Sequence, residues 1–236
     1  MTLLEIVQEF CKRSGLAVPN SVTNINDKNV RQVLGLANEC LDQLSTVYSR
    51  WTMQTREATF TAVATESQGL LSTLAPGFLW MVPETLFNRT TKLKLTGPKT
   101  PHEWQLYKAV VFTSAYAAYR IQEGALKIYP VPTAGHSMAF EYKCKYLVTS
   151  SASALKEHFT ADDDTFNLDS SMLLLGIRYL WKREKGLAYD EEKADYVRAV
   201  KTIGRQDGKA GIIKMHDQMN WPRPGVYIQD SNWPLP

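Results

Sequence analysis

Cysteine is scarce in this chain of 236 residues: there are three, Cys11, Cys40 and Cys144, far apart and odd in number. Such a set excludes a disulfide framework and suits a reduced compartment. Cys11 and Cys40 stand among apolar residues of helical segments, a setting that predicts buried thiols. No stretch approaches the roughly 18 uninterrupted apolar residues of a membrane span, so none is expected. The opening residues from Met1 to Cys11 lack a basic region followed by an apolar core, which argues against a signal peptide. Charge bias is missing as well: 27 Lys and Arg stand against 24 Asp and Glu, a net charge of +3. That is too little for a dedicated DNA binder, which carries a basic stripe, although modest charges repeated around an oligomeric ring can still face nucleic acid.

Catalytic signatures are lacking in the same way. There is no GxSxG elbow, no Gly-rich phosphate loop ending in Lys-Ser/Thr, and no cysteine in a known nucleophile motif. The four histidines, His102, His136, His158 and His216, are scattered without an HxxxH pair or a Cys/His cluster, so no metal centre and no cofactor are expected. Carboxylate pairs such as Glu66 with Glu84, or Glu141 with Glu157, have the chemistry of a glycosidase, but any chain with 24 acids contains such pairs. Asp162, Asp163, Asp164 and Asp169 suggest calcium, yet the turn glycine is absent and Leu173 stands where a closing glutamate belongs. Those acids read as a solvated preface that favours a helix dipole. The expectation is a protein that is not an enzyme.

What the chain does have is pattern. Leu3, Ile6, Val7 and Phe10 predict a first amphipathic helix ending near Gly15. Asp27 caps a longer one with the stripe Val30, Val33, Leu34, Ala37, Leu41, Leu44, Tyr48 and Trp51. From Thr52 the period shortens. Thr55–Val63 alternates as a half-buried strand, and Lys92–Thr96 suggests another. Thr100-Pro101-His102-Glu103 is a capping box with proline at the first helical position. Residues 115–121 and 125–129 flank Gln122-Glu123-Gly124 as a hairpin, and Ser137–Val148 reads as one long strand with Met138, Phe140, Tyr142, Cys144 and Tyr146 on one side. Helical period returns at Ser170–Lys185, capped by Asp169 or Ser170, closed by Lys182, Arg183 and Lys185, and stopped by Gly186. A second helix from Asp190 places Tyr196, Val197, Val200 and Ile203 on one face, completing an antiparallel hairpin.

The expected fold class is therefore α+β. An antiparallel helical bundle from residues 1–52 and 149–207 carries an inserted, mainly antiparallel β domain at 53–148, and residues 208–236 form an extended C-terminal arm. Lys201, Arg205, Lys209 and Lys214 gather positive charge after the hairpin; they suit phosphate contact, but the favoured reading is an ordinary solvated face with helix-end cations. In the arm, Trp221, Pro222, Tyr227 and Trp233 join prolines that forbid a helix to aromatic rings that are poorly placed in water, so the arm reads as a segment that docks on a partner.

The succession Gly124-Ala-Leu-Lys-Ile-Tyr-Pro-Val-Pro-Thr-Ala-Gly135, then Phe140-Glu-Tyr142, Ala161–Asp169 and Leu175–Tyr189 resembles the head-to-tail adaptor proteins of short-tailed bacteriophages. These ring proteins sit beneath the portal and are also called tail tubular protein A or tail accessory factor. The match runs from about residue 115 to 205. The resemblance implies a virion protein of the neck or tail, a dodecameric ring assembled on the portal in the host cytoplasm after DNA packaging. It also implies a channel for the genome, lined here by Lys201, Arg205 and Lys209, and a platform for the tail nozzle or tail tube and possibly tail fibres. In some relatives the C-terminal segment reaches onto the portal, which would give Trp221, Pro222, Tyr227 and Trp233 that role. Two other classes are carried beside it: a virion peptidoglycan hydrolase, proposed for some relatives but matched by no catalytic motif here, and a DNA-binding module.

Overall fold

The computed structural model describes residues 1–48, 51–109 and 117–207. It is a mixed α+β fold in which six helices accompany antiparallel sheets. Helix α1 (Leu3–Ser14) starts at a reciprocal capping box, Thr2 with Glu5, and α2 (Lys28–Asp42) at Asp27, whose carboxylate accepts from the Asn29 N–H. The expected stripe to Trp51 is not one helix. After Asp42 the chain widens into a π-helical turn, Gln43–Val47. Trp51 is buried by folding back: its indole N–H donates to the Leu44 carbonyl at 3.0 Å, and the Gln54 amide donates to the Ser45 carbonyl at 3.3 Å. Side chains thus take the carbonyls that a continuing helix would have used.

Leu3, Ile6, Phe10, Val33, Ala37, Leu41 and Leu44 bury their side chains with Trp51 and with Leu173, Ile177 and Leu180 of α5 (Ser170–Glu184) and Tyr196 and Val200 of α6 (Asp190–Asp207). Among the described residues, the buried members of this cluster run up to Trp51 and from Leu147 onward, with Met53 packed against them. Each fully buried Leu or Ile contributes about 1.5–3 kcal/mol of transfer free energy. A second cluster, from Ala58 to Cys144, lies between sheets. Strand β1 (Thr55–Thr61) pairs in register with β8 (Ser137–Cys144), whose other edge takes β3 (Phe78–Met81) and β4 (Phe87–Asn88); β5 (Leu93–Lys94) follows β4. A three-stranded sheet orders β2 (Ser67–Leu70), β7 (Ala125–Tyr129) and β6 (Ala118–Gln122). The β6–β7 turn has positive φ at both Glu123 and Gly124, 56° and 71°, as a two-residue hairpin of primed type needs. Of the residues assigned to this hairpin, Ala115 and Tyr116 lie outside the described residues. Helices α3 (Leu71–Leu74) and α4 (Pro101–Ala109) complete this part, and α4 shows the anticipated Thr100–Glu103 box.

The long strand to Val148 divides. Met138, Phe140, Tyr142 and Cys144 do share the buried face, but β8 ends at Cys144. Val148–Thr149 (β9) instead joins a small sheet with β10 (Leu155–Lys156) and β11 (Thr165–Phe166), and Val148 packs in the first cluster. Where the chain crosses between clusters, Lys143 Nζ donates to the Trp51 carbonyl at 2.7 Å, and Asp207 at the end of α6 accepts from the Thr52 N–H and hydroxyl, both at 2.6 Å.

Candidate functional site

The C-terminal hairpin is built as its charges and turn residues dictate. Asp169 caps α5 by accepting from the Ser171 N–H at 2.8 Å. At the other end Gly186 adopts φ 68°, while the Leu187 N–H reaches the Lys182 carbonyl and the Gly186 N–H the Arg183 carbonyl. This is a Schellman closure, which turns the chain sharply into α6. Partners then run in opposite senses along the two helices: Lys182 and Arg178 meet Glu192, and Tyr179 stacks on Tyr196 with the Tyr189 ring tilted against it. The Lys182 ammonium, with Arg178 beside it, holds the mostly buried Glu192 carboxyl below its ordinary range. At Gly176 α5 packs tightly on its neighbours, since a Cβ there would collide with Cys40 Sγ and touch the Tyr196 ring.

Glu192, Tyr196 and Val200 face inward on α6. The opposite side is open. An unfilled groove of about 450 Å³ is lined by Asp190, Lys193, Ala194, Val197, Arg198 and Lys201. Lys201 and Arg205 are both exposed, and their four-residue spacing puts them on this same outer side. The structure thus brings two of the three proposed channel cations together, with Lys193 and Arg198 beside them. Lys209 and the arm residues Trp221, Pro222, Tyr227 and Trp233 lie outside the described residues.

The acidic preface to α5 is not a solvated run. Asp163 and Asp169 are exposed, but Asp164 is 0% exposed. Its carboxylate accepts from Lys156 Nζ at 2.8 Å and from the Thr160 and Ala161 N–H groups at 2.7 and 2.9 Å. Asp162 accepts from the Val22 and Thr23 N–H groups and the Thr23 hydroxyl. The carbonyls of both residues take the free N–H groups of Leu3 and Leu4 at the start of α1. Burial pushes each carboxyl up, and the donors more than reverse it, leaving both below the usual carboxylate range. Spacing alone hid this role, because the donors come from residues ~140 positions away as well as from the loop itself.

The other candidates separate. Glu66, Glu84 and Glu157 each pair with a lysine, Lys108, Lys94 and Lys145, at 2.8, 2.9 and 2.7 Å. His102 sits in the first turn of α4, His136 lies 3.0 Å from the Asn88 amide, and His216 is outside the described residues. His158 differs: with Asp42 and Glu157 it forms the group of His, Asp and Glu side chains, among the described residues, close enough to share a cation. All three cysteines are buried and free, and burial lifts the Cys40 thiol to about 12. No described helix is long and apolar enough to cross a membrane. No protein-family model matches the chain, and no curated protein matches it.

Proposed function

We propose that the chain is a structural subunit of a short-tailed phage neck: a head-to-tail adaptor, ring-forming and without catalytic activity, that joins the portal to the tail nozzle or tail tube and lets genomic DNA pass. The observation that carries this reading is the outer side of α6. An open groove there is lined by Ala194, by Val197 where it leaves the core, and by Lys193, Arg198 and Lys201 against one acid, Asp190, while Glu192, Tyr196 and Val200 on the inner side are buried. A helix with one committed side and one open, cationic side suits an assembly, where the open side meets a neighbour or a polyanion without sequence-specific contacts. The order of motifs from residue 115 to 205 adds to it.

In this reading, residues 1–52 and 149–207 form an antiparallel helical bundle, residues 53–148 an inserted β domain that supplies lateral surface, and residues 208–236 an arm onto the portal through Trp221, Pro222, Tyr227 and Trp233. The subunit acts in a ring, twelvefold by resemblance, within the virion. The test is co-sedimentation with portal rings of the same virion. The full chain is expected to travel with them. A chain lacking residues 209–236 should keep its folded core, judged by its circular dichroism, and attach more weakly. Unchanged attachment would remove the arm from the proposal, and absence of any attachment would remove the adaptor.

A further inference from the structure

We infer that Asp42, Glu157 and His158 form a binding site for one divalent transition ion of the zinc type. The proposal stands apart from the adaptor reading and survives or fails without it. One ligand atom from each residue lies within 4.8 Å of the others, and His158 Nε2 is 2.9 Å from Asp42 Oδ1. Bonds of roughly 2.0–2.2 Å around a tetrahedral zinc place its ligand atoms roughly 3.3 Å apart. Closing the group around an ion therefore takes side-chain adjustment of at most about 1.5 Å, within the reach of a rotamer change.

The backbone beneath the three side chains is pinned. Asn38, one turn before Asp42 on α2, accepts from the Phe159 N–H at 2.9 Å and donates to the Phe159 carbonyl at 3.5 Å. Phe159 itself is 2% exposed. The segment carrying Glu157 and His158 is thus clamped to the same helix that carries Asp42, the arrangement that holds ligands in place before an ion arrives. Asp42 ends the regular helix, and its carbonyl accepts from the Ser45 and Thr46 hydroxyls in the π turn. Such turns occur frequently at functional sites.

Access and chemistry agree. The side chains of Asp42 and His158 are 53% and 41% exposed and that of Glu157 34%, so an ion can enter and keep water in its remaining positions. Lys145 Nζ sits 2.7 Å from Glu157 Oε1 and holds the cation's place beside the carboxylate. One imidazole nitrogen with two carboxylate oxygens suits zinc, nickel, copper or iron better than calcium or magnesium, whose sites are built from oxygen alone.

The full-length protein, stripped of metal, is titrated with Zn2+ by calorimetry and with Co2+ by visible absorption. One ion per chain is expected, tighter for Zn2+ than for Ca2+. His158→Gln and Asp42→Asn should each weaken it at least about tenfold. Lys145→Met, which frees Glu157, should tighten it, a gain that a purely structural ion pair would not show. Thermal unfolding without metal checks that each variant is folded. Binding that persists unchanged in His158→Gln, equal binding of Ca2+, or no binding by the parent chain would overturn the site.

Discussion

Asp164 has no exposed surface and gathers the Lys156 ammonium, two backbone N–H groups and the Thr160 hydroxyl around one carboxylate. Asp164→Asn keeps the shape and removes the charge, so those donors lose a charged acceptor. We expect a loss of roughly 2–3 kcal/mol, read from urea midpoints. A carboxyl held below its unfolded value adds stability above the unfolded pKa, about 4, and gives it up as the pH falls towards the folded value. Asp162 and Asp164 are both held low. Stability should therefore decline below about pH 4, and Asp164→Asn should flatten that decline. At Gly176 the added methyl of Gly176→Ala would meet Cys40 Sγ, a clash inside a packed helix interface worth about 1–3 kcal/mol. The buried thiols of Cys11, Cys40 and Cys144 should ignore a thiol reagent in the native state and all react in denaturant.

At the scale of elements, α6 separates packing from charge. Tyr196→Ala empties a site in the first cluster, next to Cys40 and Tyr179, and should cost about 3–5 kcal/mol. Lys201→Ala with Arg205→Ala should change stability by no more than about 0.5 kcal/mol, because neither side chain is buried. Thermal melts of the two proteins distinguish these faces. The caps of α2, α4 and α5 were legible because each is a local contact among neighbours in sequence: Asp27 with Asn29, Thr100 with Glu103, Asp169 with Ser171; the Thr2–Glu5 box of α1 is equally local, and only the structure brought it out. The buried face of β8 was legible for the same reason, from period-two alternation alone. The elements misjudged were those settled by distant partners. Trp51 is the exception, decided only seven residues away: it continues the stripe of α2 by arithmetic, yet its indole N–H donates to the Leu44 carbonyl in the π turn. Lys143 falls on the outer face of β8 but is buried because the Trp51 carbonyl takes its ammonium; burial pulls its pKa down while Asp207 pulls it back up. His158 meets Asp42 across 116 positions, a contact no local spacing encodes.

For the whole molecule, two apolar clusters share one chain that crosses between them at Trp51–Thr55 and Cys144–Leu147. The crossing is fastened by Lys143 to Trp51 and Asp207 to Thr52, which ties the last described residue of α6 to the start of the β-rich part. The open side of α6 belongs to the same helix whose last described residue, Asp207, holds that crossing. The measurement that tests the adaptor reading most directly is electron microscopy of the purified full chain mixed with portal rings of its own virion. The account predicts closed rings of this protein stacked coaxially beneath the portal, with an open central channel. Portal rings left bare beside free monomers would contradict it.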